Sequence, residues 1–166
     1  LGRFGVAVVC AGAKAMLDLP RTVEMLETLG VPVYGLGTDE FPAFYRRSSG
    51  LPVDQRFDDI EALARAIDVH NALSMTTGVV VANPIPAEHE MPLELYERSL
   101  AAALADAAKK KVRGREVTPF LLARIRDLTE GRSVFSNLAL LAHNARVAGQ
   151  LAVALARSRG DRRGEA

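Results

Sequence analysis

Apolar residues along this chain follow two rhythms. Phe4-Gly5-Val6-Ala7-Val8-Val9-Cys10, Val31-Pro32-Val33-Tyr34-Gly35 and Gly78-Val79-Val80-Val81-Ala82 are short, continuous and β-rich, as parallel strands covered on both faces require. The first, closed by Ala11-Gly12, is expected at the centre of its sheet. Pro32 lacks an N–H, so it belongs at the start of the second. Between these runs the spacing is helical. From Pro20, Val23, Leu26 and Leu29 share one face and Gly30 supplies a stop. Ile60, Leu63, Ala64 and Ile67 predict a second helix reaching Asn71. Strand, helix and strand in that order predict a right-handed crossover.

Helix dominates the remainder. One is predicted from Pro92 to about Lys110, with Leu93, Tyr96, Leu100 and Leu104 as its stripe and lysines at its end facing solvent. Thr118 and Pro119 suit the cap and first position of another, ending at Gly131. From Ser133 a last helix carries Leu138, Leu141, Ala145, Ala148 and Leu151 and is expected to stop near Arg157. Residues 37–59 are too irregular for a regular element and too apolar for a linker; ordered loops of that length are often functional. The sum is an α/β fold with a mostly parallel sheet, helices on both faces and C-terminal helices. Residues 1–158 are read as part of one catalytic domain and 159–166 as a disordered tail.

Composition narrows the class. The 166 residues are 49% apolar, enough for one domain with a core. Basic and acidic residues, 21 and 20, nearly cancel, leaving no electrostatic case for nucleic acid or an anionic membrane. The apolar stretches are read as broken by charge or Gly before the roughly 20 residues a spanning helix needs. A single cysteine, Cys10, excludes an internal disulfide and fits a reducing compartment, with cytoplasm the simplest reading. The absence of an initiating Met, and a strand beginning after three residues, read as a fragment lacking an upstream segment.

Candidate chemistry gathers where strands end. Lys14 follows the first strand and Ala11-Gly12-Ala13, placing it at the carboxyl edge where open α/β sheets bind ligands. A lysine shielded from water there can present a neutral amine to a carbonyl carbon and form a Schiff base; most lysines are solvated surface charges. Asn83 directly follows the third strand, although Asn-Pro also starts turns. Asn137 is an amide among apolar neighbours and needs partners in protein or ligand. Asp39-Glu40 lies beside Phe41, Phe44 and Tyr45, where a carboxylate can orient a substrate or simply face water in a turn. Neither GxxxxGK[ST] nor GxGxxG is present, and His70, His89 and His143 lack metal-ligand spacing. Cys10 reads as a packing residue.

Five blocks in order, VVCAGAK (Val8 to Lys14), GVPVYGLGTDEFPAFY (Gly30 to Tyr45), VANPIP (Val81 to Pro86), GREVTPFLL (Gly114 to Leu122) and GRSVFSNLALLAHNA (Gly131 to Ala145), resemble the pseudouridine-5′-phosphate glycosidases, which include indigoidine synthase A-like proteins. The resemblance covers nearly the whole chain. It implies reversible cleavage of the carbon–carbon glycosidic bond of pseudouridine 5′-phosphate to uracil and ribose 5-phosphate, in a homotrimer using a divalent metal such as Mn²⁺. Lys14 matches the Schiff-base lysine and Asn137 a pocket asparagine; Asn83 and Glu40 are further substrate-binding candidates. The family chain is longer, with its acid/base glutamate and metal carboxylate upstream, so no metal ligand is expected within this chain. By itself the chain is then expected to be inactive, or completed by another chain. Two other readings compete: a different Schiff-base sugar-phosphate lyase or aldolase, and a non-catalytic assembly subunit.

Overall fold

In the computed structural model of the chain, which describes residues 1–14, 18–73 and 76–164, the sheet is organised around its most apolar strand. Strand β4 (Val79–Ala82) pairs in parallel with β1 (Ala7–Cys10) on one side and β2 (Val33–Leu36) on the other. β3 (Gln55–Phe57) pairs in parallel with β2, giving the order β1-β4-β2-β3. Side chains alternate along a strand, so the run VVVA is continuous because both of its faces are covered. Val80 and Ala82 pack with Leu19, Val23 and Leu26 of α1 (Leu19–Thr28). Val79 and Val81 pack with Leu63, Ala64 and Ile67 of α2 (Ile60–Ala72) and with Leu151 and Ala154 of α5 (Arg132–Gly164). This is the α/β architecture that the pattern predicts.

The remaining helices form a hairpin beside this sandwich. α3 (Leu93–Lys109) meets α4 (Val117–Leu128) through Ala103, Ala107, Leu121 and Ile125. Its buried stripe is Tyr96, Ser99, Ala103 and Ala107, rotated from the predicted one, and Leu93 and Leu104 are exposed. Alanines at the contact let the two backbones approach closely, which outweighs burying the larger leucines. Thr118 is not a cap: a short 3₁₀ turn, Gly114–Glu116, feeds directly into α4, and Thr118 lies within its first turn. Side-chain caps that the sequence pattern did not single out operate elsewhere, with Asp18 accepting from the Arg21 N–H and Asp59 from those of Glu61 and Ala62. β3 adds a strand inside residues 37–59, recruited by pairing to β2 rather than by its own composition. α5 continues past Arg157 to Gly164, through most of the segment read as a tail. A glycine costs a helix about 1 kcal/mol without forbidding it.

Two further corrections belong together. β1 lies at the edge of the sheet, and Phe4, Val6 and Val8 are exposed. Among the described residues β4 is the only strand paired with it. On α5 the buried residues include Leu140, Val147, Leu151 and Ala154, whereas Leu138, Leu141, Ala145 and Ala148 of the predicted stripe are exposed. α5 therefore has two apolar faces, only one of them covered. Its span Arg132–Ser158 is also long and apolar enough to cross a membrane, which the sequence reading had excluded for every stretch. In this fold that span is the helix that closes the sheet.

Leu63 is wholly buried between α2 and the sheet. Leu63→Ala is expected to lower unfolding free energy by about 2–5 kcal/mol, measured as a shift in the urea midpoint at unchanged slope.

Candidate active site

The carboxyl edge of the sheet is built around a contact only glycine permits. Gly12 has φ +74°, and a Cβ there would lie 1.6 Å from the Pro42 carbonyl oxygen. Gly12 and Ala43 form an antiparallel bridge, and the Phe44 N–H donates to the Ala11 carbonyl at 2.9 Å. The loop after β2 is thereby fastened across the end of β1, two residues before Lys14.

Phe44 is held in the left-handed region, φ +64°, where a non-glycine residue costs about 1–2 kcal/mol. Packing offsets that cost. Its ring joins Ala11, Ile85 and Leu140 in one apolar cluster and meets Tyr45 edge-on at 4.8 Å. Lys14 extends above it, with Nζ 5.4 Å from the ring centroid, inside cation–π range. The ammonium-bearing stem thus has an aromatic floor at the strand end, where the sequence placed the lysine.

Polar links hold the surrounding segments. Arg47 donates from its guanidinium to the Ile85 carbonyl at 2.7 Å, and Arg46 to that of Met91 at 2.9 Å while pairing with Glu90 at 3.0 Å. Ser136 of α5 donates to the His89 carbonyl. Asn83 is buried, its N–H donating to Cys10 O and its side-chain amide to Asn144 Oδ1 at 2.8 Å. Asn137, Leu140 and Asn144 lie on successive turns of α5, so the helix that closes the apolar floor with Leu140 also presents two amides at this edge. Asn137 is half-buried.

Of the predicted site residues, the structure brings Lys14, Asn83 and the Asn137 face of α5 to this edge. Glu40 is occupied with its own loop, accepting from the Ser48 hydroxyl and from the N–H groups of Ser49 and Gly50 at 3.1 and 2.8 Å. Those bonds, led by Ser48, hold its carboxyl below the usual range. Phe44 and Asn144 went unnamed as site residues in the sequence reading. Asn144 was within reach of it, two helical turns from Asn137; Phe44 was not, because its role depends on the Gly12 contact. His143 adds an imidazole whose buried Nδ1 has no hydrogen-bond partner among the described residues. Burial, with Arg146 and Arg47 nearby, lowers its pKa. Burial raises that of the Cys10 thiol, in keeping with packing. Among the described residues no three His, Cys, Asp or Glu side chains converge to hold a metal.

An amine over an aromatic floor, flanked by asparagines at the carboxyl edge of a parallel sheet, places polar groups where open α/β sheets bind ligands. The chain belongs to the indigoidine synthase A-like family, whose profile matches residues 1–154. It is 52% identical over 158 residues to the pseudouridine-5′-phosphate glycosidase of Myxococcus xanthus, covering 95% of this chain and 52% of that protein. The corresponding figures for the protein of the same name from Caldanaerobacter subterraneus are 50% identity over 155 residues, 93% and 50%. The chain thus spans about half the length of these relatives. Its fold superposes with a TM-score of 0.89 on the prealnumycin C-glycosynthase AlnA, crystallised with ribulose 5-phosphate, at 34% identity over 96% of this chain and 53% of that one. An indigoidine synthase A-like protein from Thermotoga maritima gives 0.81, with 37% identity over 93% and 51%.

Two outcomes follow from this geometry. Gly37 shares a positive φ, +66°, but has open space around it, so Gly37→Ala should cost about 1 kcal/mol of conformational energy alone. Gly12→Ala should cost well beyond that and expose residues 38–46 to limited proteolysis; equal melting temperatures for the two variants would refute the contact. For Glu40, a pKa depressed by folding means that its contribution is present above the unfolded carboxylate pKa and lost as pH falls through the folded one. The Ser49 and Gly50 amide resonances should therefore titrate together below the usual carboxylate range, and Glu40→Gln should abolish that titration.

Proposed function

We propose that this chain is the lysine-bearing half of a pseudouridine-5′-phosphate glycosidase, with Lys14 as the amine that captures the sugar. The observation that carries the proposal is the placement of Lys14 Nζ over Phe44 at the carboxyl edge; the names of its half-identical relatives support the substrate. The sugar phosphate in the AlnA crystals supports a pentose-phosphate class.

The chemistry follows from the bond to be broken. A carbon–carbon glycosidic bond breaks only if C1′ is stabilised as it gives up the bond electrons, because the leaving carbon cannot depart as easily as an oxygen. As the ribose ring opens, the C1′–O4′ bond breaks, the Lys14 nitrogen forms a single bond to C1′, and O4′ takes the proton that the amine gives up. A proton delivered to the uracil carbon then lets the electrons of the carbon–carbon bond depart with the base, while the nitrogen lone pair closes the C1′=N imine. Hydrolysis of the remaining imine takes up water and releases ribose 5-phosphate and the free amine. Asn83, oriented by Asn144, and Asn137 bind the sugar hydroxyls and base from the flanks, while Phe44, Leu140 and Ile85 keep water from the imine carbon. The proton donor and any metal carboxylate come from the part of a family-length chain that this sequence does not cover.

Incubation with ribose 5-phosphate and borohydride should fix the imine as a secondary amine, after loss of water and gain of hydride. The chain would be tested alone and co-expressed with the unmatched segment of the Myxococcus xanthus relative. Intact mass should then show one reduced pentose phosphate, mapped to Lys14 and absent in Lys14→Ala. An adduct on another lysine, or none in the co-expressed protein, would refute the assignment. Uracil-dependent formation of pseudouridine 5′-phosphate distinguishes this activity from that of an aldolase.

A further inference from the structure

The two edges of the sheet are built differently. β3 is three residues long, and its Arg56 pairs with Asp39 and Asp58 in solvent, as natural edges are blunted with charge. β1 has no such protection. It is apolar throughout, and Phe4 and Val6, leading into it, are 70% and 49% exposed. Its hydrogen bonds to β4 use Val6 and Cys10 carbonyls to receive the Val79 and Asn83 N–H groups. Backbone groups alternate in direction along a strand, so Ala7 and Val9 turn theirs to the open side.

The same side of the molecule carries the uncovered face of α5. One flank of this helix holds Gln150 and Arg157 towards α2. The opposite flank repeats Val134, Leu138, Leu141, Ala145, Ala148 and Ala152, all exposed and none charged, at the alternating three- and four-residue spacing of a helix–helix seam. α5 is the helix packed against β1, and α2 lies on its other side over β2 and β3. The open edge and the apolar flank are therefore adjoining parts of one surface. A helix apolar on two faces suits the interior of a larger body.

We infer that this surface is the seam for the rest of a family-length chain: a β-strand adds to the open edge of β1, and a helix packs on the Leu138–Leu141 flank of α5. The occupant is chosen by length and topology. This chain accounts for 53% of the AlnA chain on which it superposes at 0.89, so nearly half of a chain with this fold lies beyond the matched part. The open edge of β1 and the flank of α5 are a strand and a helix side left without neighbours, the two parts an α/β layer extends by. The inference extends the reading of the chain as an enzyme half, but its measurement is assembly, so failure to assemble and failure to form an imine are separate results.

The test is co-expression of the 166-residue chain with the unmatched segment of the Myxococcus xanthus relative, followed by affinity capture and hydrogen exchange. A one-to-one complex is expected, with new amide protection at Ala7 and Val9 and along residues 134–148. Leu138→Glu combined with Leu141→Glu should weaken capture about tenfold or more, equivalent to about 1.4 kcal/mol. The lone variant should keep the circular dichroism and urea midpoint of the parent, because both leucines are exposed. If that lone chain is destabilised, wild-type protection at Ala7 and Val9 decides the matter. Absence of a complex, protection confined to α3 and α4, or capture indifferent to the double variant would overturn the inference. So would a dimer of the chain alone that the double variant dissolves, because the occupant would then be a second copy.

Discussion

The approach of Gly12 to the Pro42 carbonyl governs the rest of this site. Because Gly12 has no side chain, the backbone after β1 can pass so close to the loop after β2 that a Cβ there would lie 1.6 Å from the Pro42 carbonyl oxygen. The Ala11–Phe44 hydrogen bond forms as a result. Phe44 is then carried into a left-handed conformation that its own chemistry disfavours. Its ring enters the Ala11, Ile85 and Leu140 cluster, which fixes the height of α5 against the sheet, and Lys14 is left above the ring. One close backbone contact thus ties together two strands, a long loop, the last helix and the Lys14 side chain. Arg46, Arg47 and Ser136 then secure the same loop and helix to the segment after β4 by hydrogen bonds to backbone carbonyls.

Strand identity was legible in the sequence because burial on both faces leaves an unbroken apolar run, and β2, β4 and their helices lie where that rule places them. Lys14 and Asn83 were legible for a related reason: residues that directly follow buried strands have few places to go but the carboxyl edge. What escaped is what depends on partners distant in sequence. β3 exists because β2 offers it hydrogen bonds, and Thr118 lost its capping role to a 3₁₀ turn just before it. The stripe of α3 rotated because alanines fit α4 more closely than leucines. Glu40, named as a substrate-binding candidate, has its carboxylate held by three donors from its own loop.

The misplacement of β1 is of another kind. The apolar run from Phe4 to Cys10 carries the signature of a central strand, and the structure sets it at an edge. Of the residues first read as the packed stripe of α5, Leu151 is buried, but Leu138, Leu141, Ala145 and Ala148 are likewise an exposed flank. Both readings applied a sound burial rule to the wrong boundary. Phe4, Val6 and the Leu138–Leu141 flank are apolar and exposed, the pattern of a surface that takes a neighbour.

That boundary bears directly on chemistry. β1 has no regular structure between its last residue, Cys10, and Lys14, so the strand at the open edge and the segment carrying the amine are one length of backbone. An edge strand held on one side frays more readily than one held on both, since each missing ladder bond lowers the cost of local opening. Strand addition at Ala7 and Val9 would stiffen the stem from which Lys14 projects. Positioning a reacting amine against a carbonyl tolerates little error, and displacements on the order of 1 Å can cost about a hundredfold in rate. If the seam is filled as inferred, completing the sheet and fixing the Lys14 stem are the same structural event.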